Sequence, residues 1–351
     1  MKFIATDVND STTRMQEMVA EQQKKPGYAA DPYFYRSHVT YEEELDRIIF
    51  KSWLYAGHTS EIANNGDYFL MDIGEDSIII SRDQSGEVQA QHNICRHRGA
   101  RVCEEPTGNR KTFVCPYHGW VYNTDGTLKA ARHMEAKEGF DCGDFNLKKV
   151  KVNVYKGMIF INCDLNAEEF LPSLHKLDVP FGGYRMENAK VAHKKTYKVD
   201  ANWKLVLENY LECYHCATSH RQYAKSHTLK DLACNTDVLN EAMRARSAEQ
   251  TGLEGVPDEV WEIYSDAPHF GGCVYTSRYA LYDGFLTGSK DGQAVAPLMG
   301  DFKGYDGGTG DFQMGPLSFM LNYPDHCVMY RFIPRGLTET DMEIVWFVNG
   351  D

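Results

Sequence analysis

Two short half-motifs, which begin at Cys95 and Cys115, constrain the fold of this chain more than any other feature. The first reads Cys-Arg-His-Arg-Gly and the second reads Cys-Pro-Tyr-His-Gly-Trp, and seventeen residues separate His97 from Cys115. Folded together, the half-motifs would present two thiolates and two imidazoles to one small inorganic cluster. The four candidate ligands are Cys95, His97, Cys115 and His118.

This ligand set suits a [2Fe–2S] cluster of the Rieske kind, in which two cysteines bind one iron and two histidines bind the other. It therefore indicates electron transfer. A zinc site accepts the same four ligands, but zinc fingers of that composition usually present a cysteine pair followed by a histidine pair. The two remaining alternatives are a disulfide between Cys95 and Cys115 and chance burial of the four side chains. Gly99 and Gly119 favour the cluster, because glycine-bearing loops can approach it and donate backbone N–H groups to its sulfurs.

A second constellation lies about a hundred residues later, between Asn202 and His220. We predict a helix here, since its apolar residues recur at helical spacing without Gly or Pro: Trp203, Val206, Leu207 and Tyr210. His215 and His220 are five residues apart, which places them off one face of an undistorted helix. Both can bind one metal only if the helix widens or breaks between them.

Two histidines from one segment and a carboxylate from elsewhere form the facial triad of non-haem Fe(II) oxygenases, with positions open for dioxygen and substrate. The histidine pair alone is a weak signal, and the cluster motif strengthens it, because one site supplies electrons that the other needs. Glu212, one turn before His215, is a candidate hydrogen-bond acceptor between the two sites; the alternative is an ordinary solvated acid. Cys213 and Cys216 have a CxxC spacing, and we interpret them as packing residues.

With both motifs in place, the chain resembles the large catalytic subunit of the Rieske non-haem iron oxygenases, also called ring-hydroxylating oxygenases, from about Trp53 to its last residue. It looks most like their glycine betaine, carnitine and choline oxygenase branch. The family's two cluster loops match at all four ligand positions. Its iron-binding segment, Asn-x-x-(Glu/Asp)-x-Tyr-His-x-x-x-x-His, matches at Asn209, Glu212, Tyr214, His215 and His220.

The resemblance implies that His215 and His220 bind a mononuclear Fe(II). It also implies that Glu212 bridges this iron to the cluster of a neighbouring subunit, and Asn209 is the other candidate catalytic residue in the segment. Electrons would come from NAD(P)H through a separate flavin or iron–sulfur reductase or a ferredoxin. Because the cluster of one subunit would face the iron of the next, the resemblance implies a head-to-tail homotrimer.

One departure from the family concerns the third iron ligand. In the family this ligand is an Asp in a helix that follows the last strands of the catalytic domain. The printed sequence stops at Asp351, directly after a strand-like segment. We expect the third ligand beyond Asp351, in a C-terminal segment that the sequence lacks, and we assign no such role to Asp301, Asp311 or Asp325.

Composition limits the classes of partner. The chain has 351 residues, enough for two domains with buried cores, and is 42% hydrophobic and 25% charged. A formal charge of −13 argues against nucleic acid and anionic membranes as partners. No apolar run is long enough to span a membrane, and residues 1–7 lack the apolar core of a signal peptide, so we expect a cytoplasmic protein.

We predict an α+β protein in three parts. Residues 1–50 form a helical segment that packs on the catalytic domain, with a second helix that opens at Thr40 in a capping box with Glu43. Residues 51–165 form an antiparallel β Rieske domain, and residues 166–351 form a catalytic domain with an antiparallel sheet flanked by helices and an irregular stretch over about 230–255. The predicted strands include Asp67–Met71, Ser77–Ser81, Thr112–Val114, Met158–Asn162, Lys194–Val199, Val328–Ile333 and Glu343–Val348.

The substrate is less constrained than the chemistry. Glu212 stands where aromatic-ring dioxygenases generally have Asp, which favours a quaternary ammonium substrate of the betaine, choline or carnitine type. Hydroxylation of its N-methyl group would release formaldehyde. An aromatic cage would bind such a cation, and the candidate residues, for which ordinary packing is the alternative, are Tyr275, Tyr279, Tyr282 and Phe285.

Two other functions remain open. The first is ring hydroxylation or dihydroxylation of an aromatic acid, which would require an Arg near the iron to hold the carboxylate. The second is a Rieske electron carrier without enzymatic activity, against which the length of the chain and the iron-binding segment argue.

Overall fold

The computed structural model describes residues 9–134, 137–228, 236–251, 262–264 and 270–350. Its strands in chain order are β1 (Leu54–His58), β2 (Asp67–Ile73), β3 (Asp76–Arg82), β4 (Val88–His92), β5 (Thr107–Asn109), β6 (Thr112–Val114), β7 (Val121–Asn123), β8 (Leu128–Ala130), β9 (Lys151–Tyr155), β10 (Met158–Asn162), β11 (Ala189–Val199), β12 (Glu262–Tyr264), β13 (Val274–Ala280), β14 (Gly308–Met314), β15 (Ser318–Asn322), β16 (Cys327–Gly336) and β17 (Glu339–Asn349). Its α-helices are α1 (Thr12–Gln23), α2 (His38–Arg47), α3 (Leu171–Leu174), α4 (Asp178–Gly182), α5 (Trp203–Leu211), α6 (Cys216–Ser219), α7 (Arg221–Ser226) and α8 (Thr236–Thr251). None of the helices in this described part combines the length and the apolar character needed to cross a membrane.

Three small antiparallel sheets form the first half of the chain, with strand orders β1-β10-β9, β4-β3-β2-β5 and β6-β7-β8. The three isoleucines of β3 are all buried, because successive side chains of a strand point to opposite faces and both faces are covered. Ile79 packs in the apolar cluster that contains Cys95 and Cys115. Ile78 and Ile80 pack instead in the cluster that contains residues of α5. Strand β3 therefore lies between the apolar cluster that supports the cysteine motifs and the apolar cluster that supports α5.

A seven-stranded antiparallel sheet forms the second half, in the order β11-β17-β16-β15-β14-β13-β12. Helix α5 lies against β16 and β17. Its Tyr210 ring packs on Phe319 of β15 and on Tyr330 and Phe332 of β16, with ring centroids 4.6, 5.3 and 5.7 Å apart. The long strands of this sheet therefore position the segment that carries His215 and His220. The α+β class and the antiparallel sheets that the sequence predicts are confirmed.

The N-terminal segment is tied to α5 by polar contacts. The Tyr35 hydroxyl donates to the Glu208 carboxylate at 2.8 Å. The Glu44 carboxylate on α2 accepts from Trp203 Nε1 at 3.0 Å and from Lys204 Nζ at 2.6 Å. Burial lowers the pKa of Lys204, although the neighbouring Glu44 opposes that shift. These contacts fix α2 beside the start of α5.

All seven predicted strands lie within observed strands, whereas the start of one helix and one irregular stretch need correction. Helix α2 begins at His38, because the Ser37 hydroxyl accepts from the Thr40 N–H at 2.9 Å and so caps the helix three residues earlier than expected. The predicted irregular stretch over 230–255 contains α8, in which Met243 is fully buried and Asn240 accepts from the Ala280 N–H at 2.9 Å. Residues 229–235 and 252–255 of that stretch lie outside the described residues.

Candidate active site

The two cluster loops have the same backbone design. In the first, the Cys95 carbonyl accepts from the Gly99 N–H at 3.0 Å, and the Cys95 N–H donates to the Ala100 carbonyl at 2.8 Å. In the second, Cys115 makes the same two bonds with Gly119 and Trp120, at 3.0 and 2.8 Å. Gly99 and Gly119 have φ of 76° and 71°, in the left-handed region that other residues enter at a cost. A side chain at either glycine would meet open space, so these glycines serve backbone conformation.

The loops bring the four predicted ligands together as a cysteine pair and a histidine pair. Cys95 and Cys115 are 3% and 2% exposed, and both are free thiols, which argues against a disulfide between them. His97 and His118 are exposed at the loop tips, with their Nδ1 atoms 3.2 Å apart. Two nitrogens that share one metal at about 2.1 Å each lie about 3.0–3.4 Å apart, so this spacing suits one iron.

A single zinc ion would need all four side chains around one point. The two cysteines and the two histidines instead form separate pairs, the first buried and the second exposed. The paired arrangement therefore fits a two-iron cluster better than zinc.

Hydrogen-bond donors near the two cysteine sulfurs suit a negatively charged cluster. The Tyr117 and His118 N–H groups hydrogen-bond to the Cys115 sulfur and lower its pKa, although burial, the larger effect, raises it. The Tyr122 oxygen accepts from the Arg96 N–H at 3.1 Å, which leaves the phenol proton free for the Cys95 sulfur at 3.3 Å. Hydrogen bonds to ligand sulfurs raise the reduction potential of such clusters.

The predicted helix between Asn202 and His220 is broken, as two convergent histidines require. Helix α5 ends at Leu211, and Glu212 has a non-helical ψ of 68°. A 3₁₀ turn over Cys213–His215 and the single turn of α6 follow, and His220 leaves the helical region again with a ψ of 60°. The breaks on either side of α6 turn the two imidazoles toward each other.

The histidine geometry suits two ligands of one metal. The Nε2 atoms of His215 and His220 lie 3.1 Å apart, and the ring planes cross at 71°. The Nδ1 atom of His215 donates to the Glu212 carbonyl at 2.5 Å. That bond places the proton on Nδ1 and leaves the Nε2 lone pair free for a metal.

A cavity of about 740 Å³ adjoins the histidine pair. His215, His220 and the predicted Asn209 all line it, together with Cys213 and Cys216, which are free thiols. Its volume falls in the range of small-molecule sites. The Glu212 side chain is exposed and is not part of the lining.

The four aromatic residues that the sequence offered for a cage are not among the lining residues, which favours the packing alternative for them. The lining tyrosines are Tyr210, Tyr223 and Tyr330. Of the four proposed residues, Tyr279 lies behind the wall, with its hydroxyl 3.0 Å from that of Tyr223. Which aromatic rings reach the cavity depends on how the strands pair in the sheet. The alternation of residues along a single strand does not reveal that pairing.

Sequence reasoning also gave no role to Asp311, which lies on β14 and lines the cavity. Burial raises the pKa of its carboxyl to about 7. A second overlooked residue, His227, stacks on Tyr223 at 3.8 Å and hydrogen-bonds to the Tyr323 hydroxyl at 2.8 Å; burial lowers its pKa to about 4. No local motif marks either residue, since both depend on the tertiary fold.

Comparison with known proteins agrees with this geometry. Residues 52–155 match the family model of the Rieske [2Fe-2S] domain, and residues 186–351 match that of the ring hydroxylating alpha subunit (catalytic domain). The chain is 36% identical over 327 residues to the glycine betaine monooxygenase oxygenase subunit of Pseudomonas aeruginosa (strain UCBPP-PA14), across 91% of this chain and 73% of the relative. The chain belongs to the Rieske non-haem iron oxygenases.

Further members of the Rieske oxygenase family are also similar. The carnitine monooxygenase oxygenase subunit of Escherichia coli (strain K12) is 35% identical over 196 residues, which is 55% of this chain and 52% of the relative. A quaternary ammonium Rieske monooxygenase solved with L-carnitine aligns with a TM-score of 0.66 at 22% identity, over 91% of this chain and 74% of that one. Naphthalene 1,2-dioxygenase from Rhodococcus sp. aligns with a TM-score of 0.71 at 21% identity, over 97% and 78%. These structures confirm the fold.

Proposed function

We propose that this Rieske oxygenase uses O2 and electrons from NAD(P)H, delivered by a separate reductase or ferredoxin, to hydroxylate a quaternary ammonium compound of the betaine, choline or carnitine type. The observation that carries the proposal is the convergence of His215 and His220 beside a small-molecule cavity in a chain that also pairs two cysteines with two histidines. The names of the betaine and carnitine relatives support the substrate class. A cytoplasmic location, where NAD(P)H is abundant, fits this role.

The residues at each centre would have distinct tasks. Cys95, Cys115, His97 and His118 would hold the [2Fe–2S] cluster, and His215 and His220 would hold the mononuclear Fe(II). Bound Fe(II) and the cluster together supply dioxygen activation and the electrons for it. The Glu212 carbonyl keeps His215 in the tautomer that presents Nε2 to the metal. The lining tyrosines give the cavity an aromatic wall beside the histidine pair.

The overall reaction that we assign is oxidative N-demethylation. One O2, two electrons and two protons convert an N-methyl group to N-hydroxymethyl and one water. The N-hydroxymethyl group then loses formaldehyde as its hydroxyl proton is released and the C–N bond breaks, which leaves a tertiary amine with one methyl group fewer. Formaldehyde is therefore the diagnostic product.

We further propose that electrons pass between subunits of a head-to-tail homotrimer. His97 and His118 are exposed at the tips of their loops, so the histidine-bound iron would face outward. At the other site Glu212 is exposed, and the adjacent Tyr214 is 83% exposed. These two surfaces would meet in the trimer, with Glu212 as the bridging acid. One structural neighbour is described as a protein with inter-subunit electron transfer.

A second candidate function, hydroxylation of an aromatic acid, is favoured by one observation. Arg221 follows His220 and lines the same cavity. A guanidinium there could hold a substrate carboxylate, as that function requires. A zwitterionic betaine or carnitine also carries a carboxylate, so Arg221 is compatible with both functions.

A substrate panel with the holoenzyme and a reductase separates the candidates. We expect glycine betaine, choline or carnitine to drive NAD(P)H consumption with about one formaldehyde released per NAD(P)H, and His215→Ala to abolish both. Turnover of aromatic acids without formaldehyde would contradict the proposal. An iron content of two per chain, where the oxygenase requires three, would instead indicate an electron carrier.

A further inference from the structure

Asp311 is a charged group that the chemistry above does not use. Its carboxylate lines the cavity of His215 and His220. Among the residues that the structure describes, none hydrogen-bonds to this carboxylate or forms an ion pair with it. A half-buried carboxylate without a partner is costly, and carboxylates with a strongly raised pKa cluster at functional sites.

The geometry of the sheet keeps Arg278 of β13 from pairing with the Asp311 carboxylate. Asp311 pairs in register with Ser277 on β13 and Leu321 on β15, neither of which is charged. Arg278, the residue after Ser277, points to the opposite face of the strand. There its guanidinium is committed to the buried Asp306 and to the Tyr184 hydroxyl.

Aromatic rings surround the space that Asp311 faces. Tyr210, Tyr223 and Tyr330 line the same cavity, and the negative charge of Asp311 acts with burial, the larger effect, to raise the pKa of each phenol. The Tyr223 ring is fixed by its stacking on His227, with planes 14° apart. Tyrosine faces attract cations through the ring quadrupole.

This combination selects one chemistry. A quaternary ammonium group has a fixed positive charge and no N–H, so it is bound by charge and by ring faces without directional hydrogen bonds. A substrate carboxylate at the same position would be repelled by Asp311. A neutral group would bring no counter-charge to the half-buried carboxylate.

We propose that Asp311 and the ring faces of Tyr210, Tyr223 and Tyr330 form the subsite that holds the cationic head group of the substrate beside His215 and His220. This inference rests on the proposed function and deepens it, since it names the residues that would select a cation. Arg221, at an exposed position of the same cavity, lies where it could bind the carboxylate of a zwitterionic substrate.

Binding measurements on the holoenzyme test the subsite. The probes are choline and its uncharged isostere 3,3-dimethylbutan-1-ol, in which carbon replaces the quaternary nitrogen, and binding is followed by calorimetry. We expect Asp311→Asn to weaken choline binding by about 10- to 100-fold and to change the affinity of the isostere by less than about threefold. We expect Tyr330→Leu to weaken choline binding and Tyr330→Phe, which keeps the ring face, to preserve most of it.

The matched control is Asp301→Asn, since Asp301 is an exposed acid paired with Arg185 and lies outside the cavity lining. This variant should bind choline like the wild type. Unchanged choline affinity in Asp311→Asn, in a protein that demethylates quaternary ammonium compounds, would overturn the subsite while the proposed function stands. A wild type that binds no choline, betaine or carnitine but binds aromatic acids would overturn both.

Discussion

Asp311→Asn should stabilise the protein, and the size of the effect should depend on pH. Burial raises the pKa of Asp311 from the ordinary 3.8 to about 7 in the folded protein. In the unfolded chain the carboxyl returns to about 3.9. The stability contributed by the protonated carboxyl is therefore fully present below about pH 4 and is lost as the pH rises through the folded pKa. Above pH 7 the metal-free fold must hold a half-buried negative charge that no described side chain pairs with.

The magnitude follows from that shift. The difference between 7 and 3.8 is about three pKa units, which at 1.36 kcal/mol per unit gives an upper limit of about 4 kcal/mol. Water in the cavity screens part of this energy, so we expect about 2–4 kcal/mol at pH 8 and about 1 kcal/mol at pH 5. Asparagine has nearly the same shape and no charge, so the substitution removes this cost.

Thermal denaturation at several pH values, with the mononuclear iron removed from both the variant and the wild type, measures the effect. At about 2 °C per kcal/mol for a chain of this size, the variant should melt about 4–8 °C above the wild type at pH 8, and the gap should shrink toward pH 5. Asp301→Asn should show no such pH-dependent gap, because its carboxylate is exposed. An Asp311→Asn gap that is independent of pH, or a variant that melts below the wild type at pH 8, would refute the reasoning.

Three further predictions concern the metal centres. His215→Ala should lose the mononuclear iron and turnover but keep the visible absorption of the cluster; loss of that absorption would show that the segment is misassigned. Glu212→Gln should keep both metals, yet its reduced cluster should fail to re-oxidise with substrate and O2, because Glu212 is the proposed bridge; normal single turnover would contradict that role. Tyr122→Phe removes the hydrogen bond to the Cys95 sulfur and should lower the reduction potential of the cluster in a redox titration. An unchanged potential would show that the phenol does not tune it.

The cluster loops were predictable because all of their information is local. Each loop needs one Cys, one His and one left-handed Gly within five residues, and the same two backbone bonds close both loops. The distortion between His215 and His220 was predictable for a similar reason. A spacing of five residues does not fit an undistorted helix, so convergence required the break that is observed.

The cavity wall was not predictable, because it is assembled by the sheet. Asp311 and Tyr330 come from two strands separated by β15, and nothing in their local sequence distinguishes them from other acids and tyrosines. The four aromatics chosen from the sequence lie outside the lining of the cavity. Helix α2 started early because Ser37 competes with Thr40 as the cap, a choice that depends on the surrounding fold.

A single-turnover experiment tests the central claim most directly. The holoenzyme, with its cluster chemically reduced and the reductase removed, is mixed with O2 and a quaternary ammonium substrate, and formaldehyde and cluster absorbance are followed together. The account predicts one burst of formaldehyde, at most one per mononuclear iron, that rises as the cluster re-oxidises and is absent in His215→Ala. Cluster re-oxidation without any formaldehyde, or the same burst in His215→Ala, would contradict it.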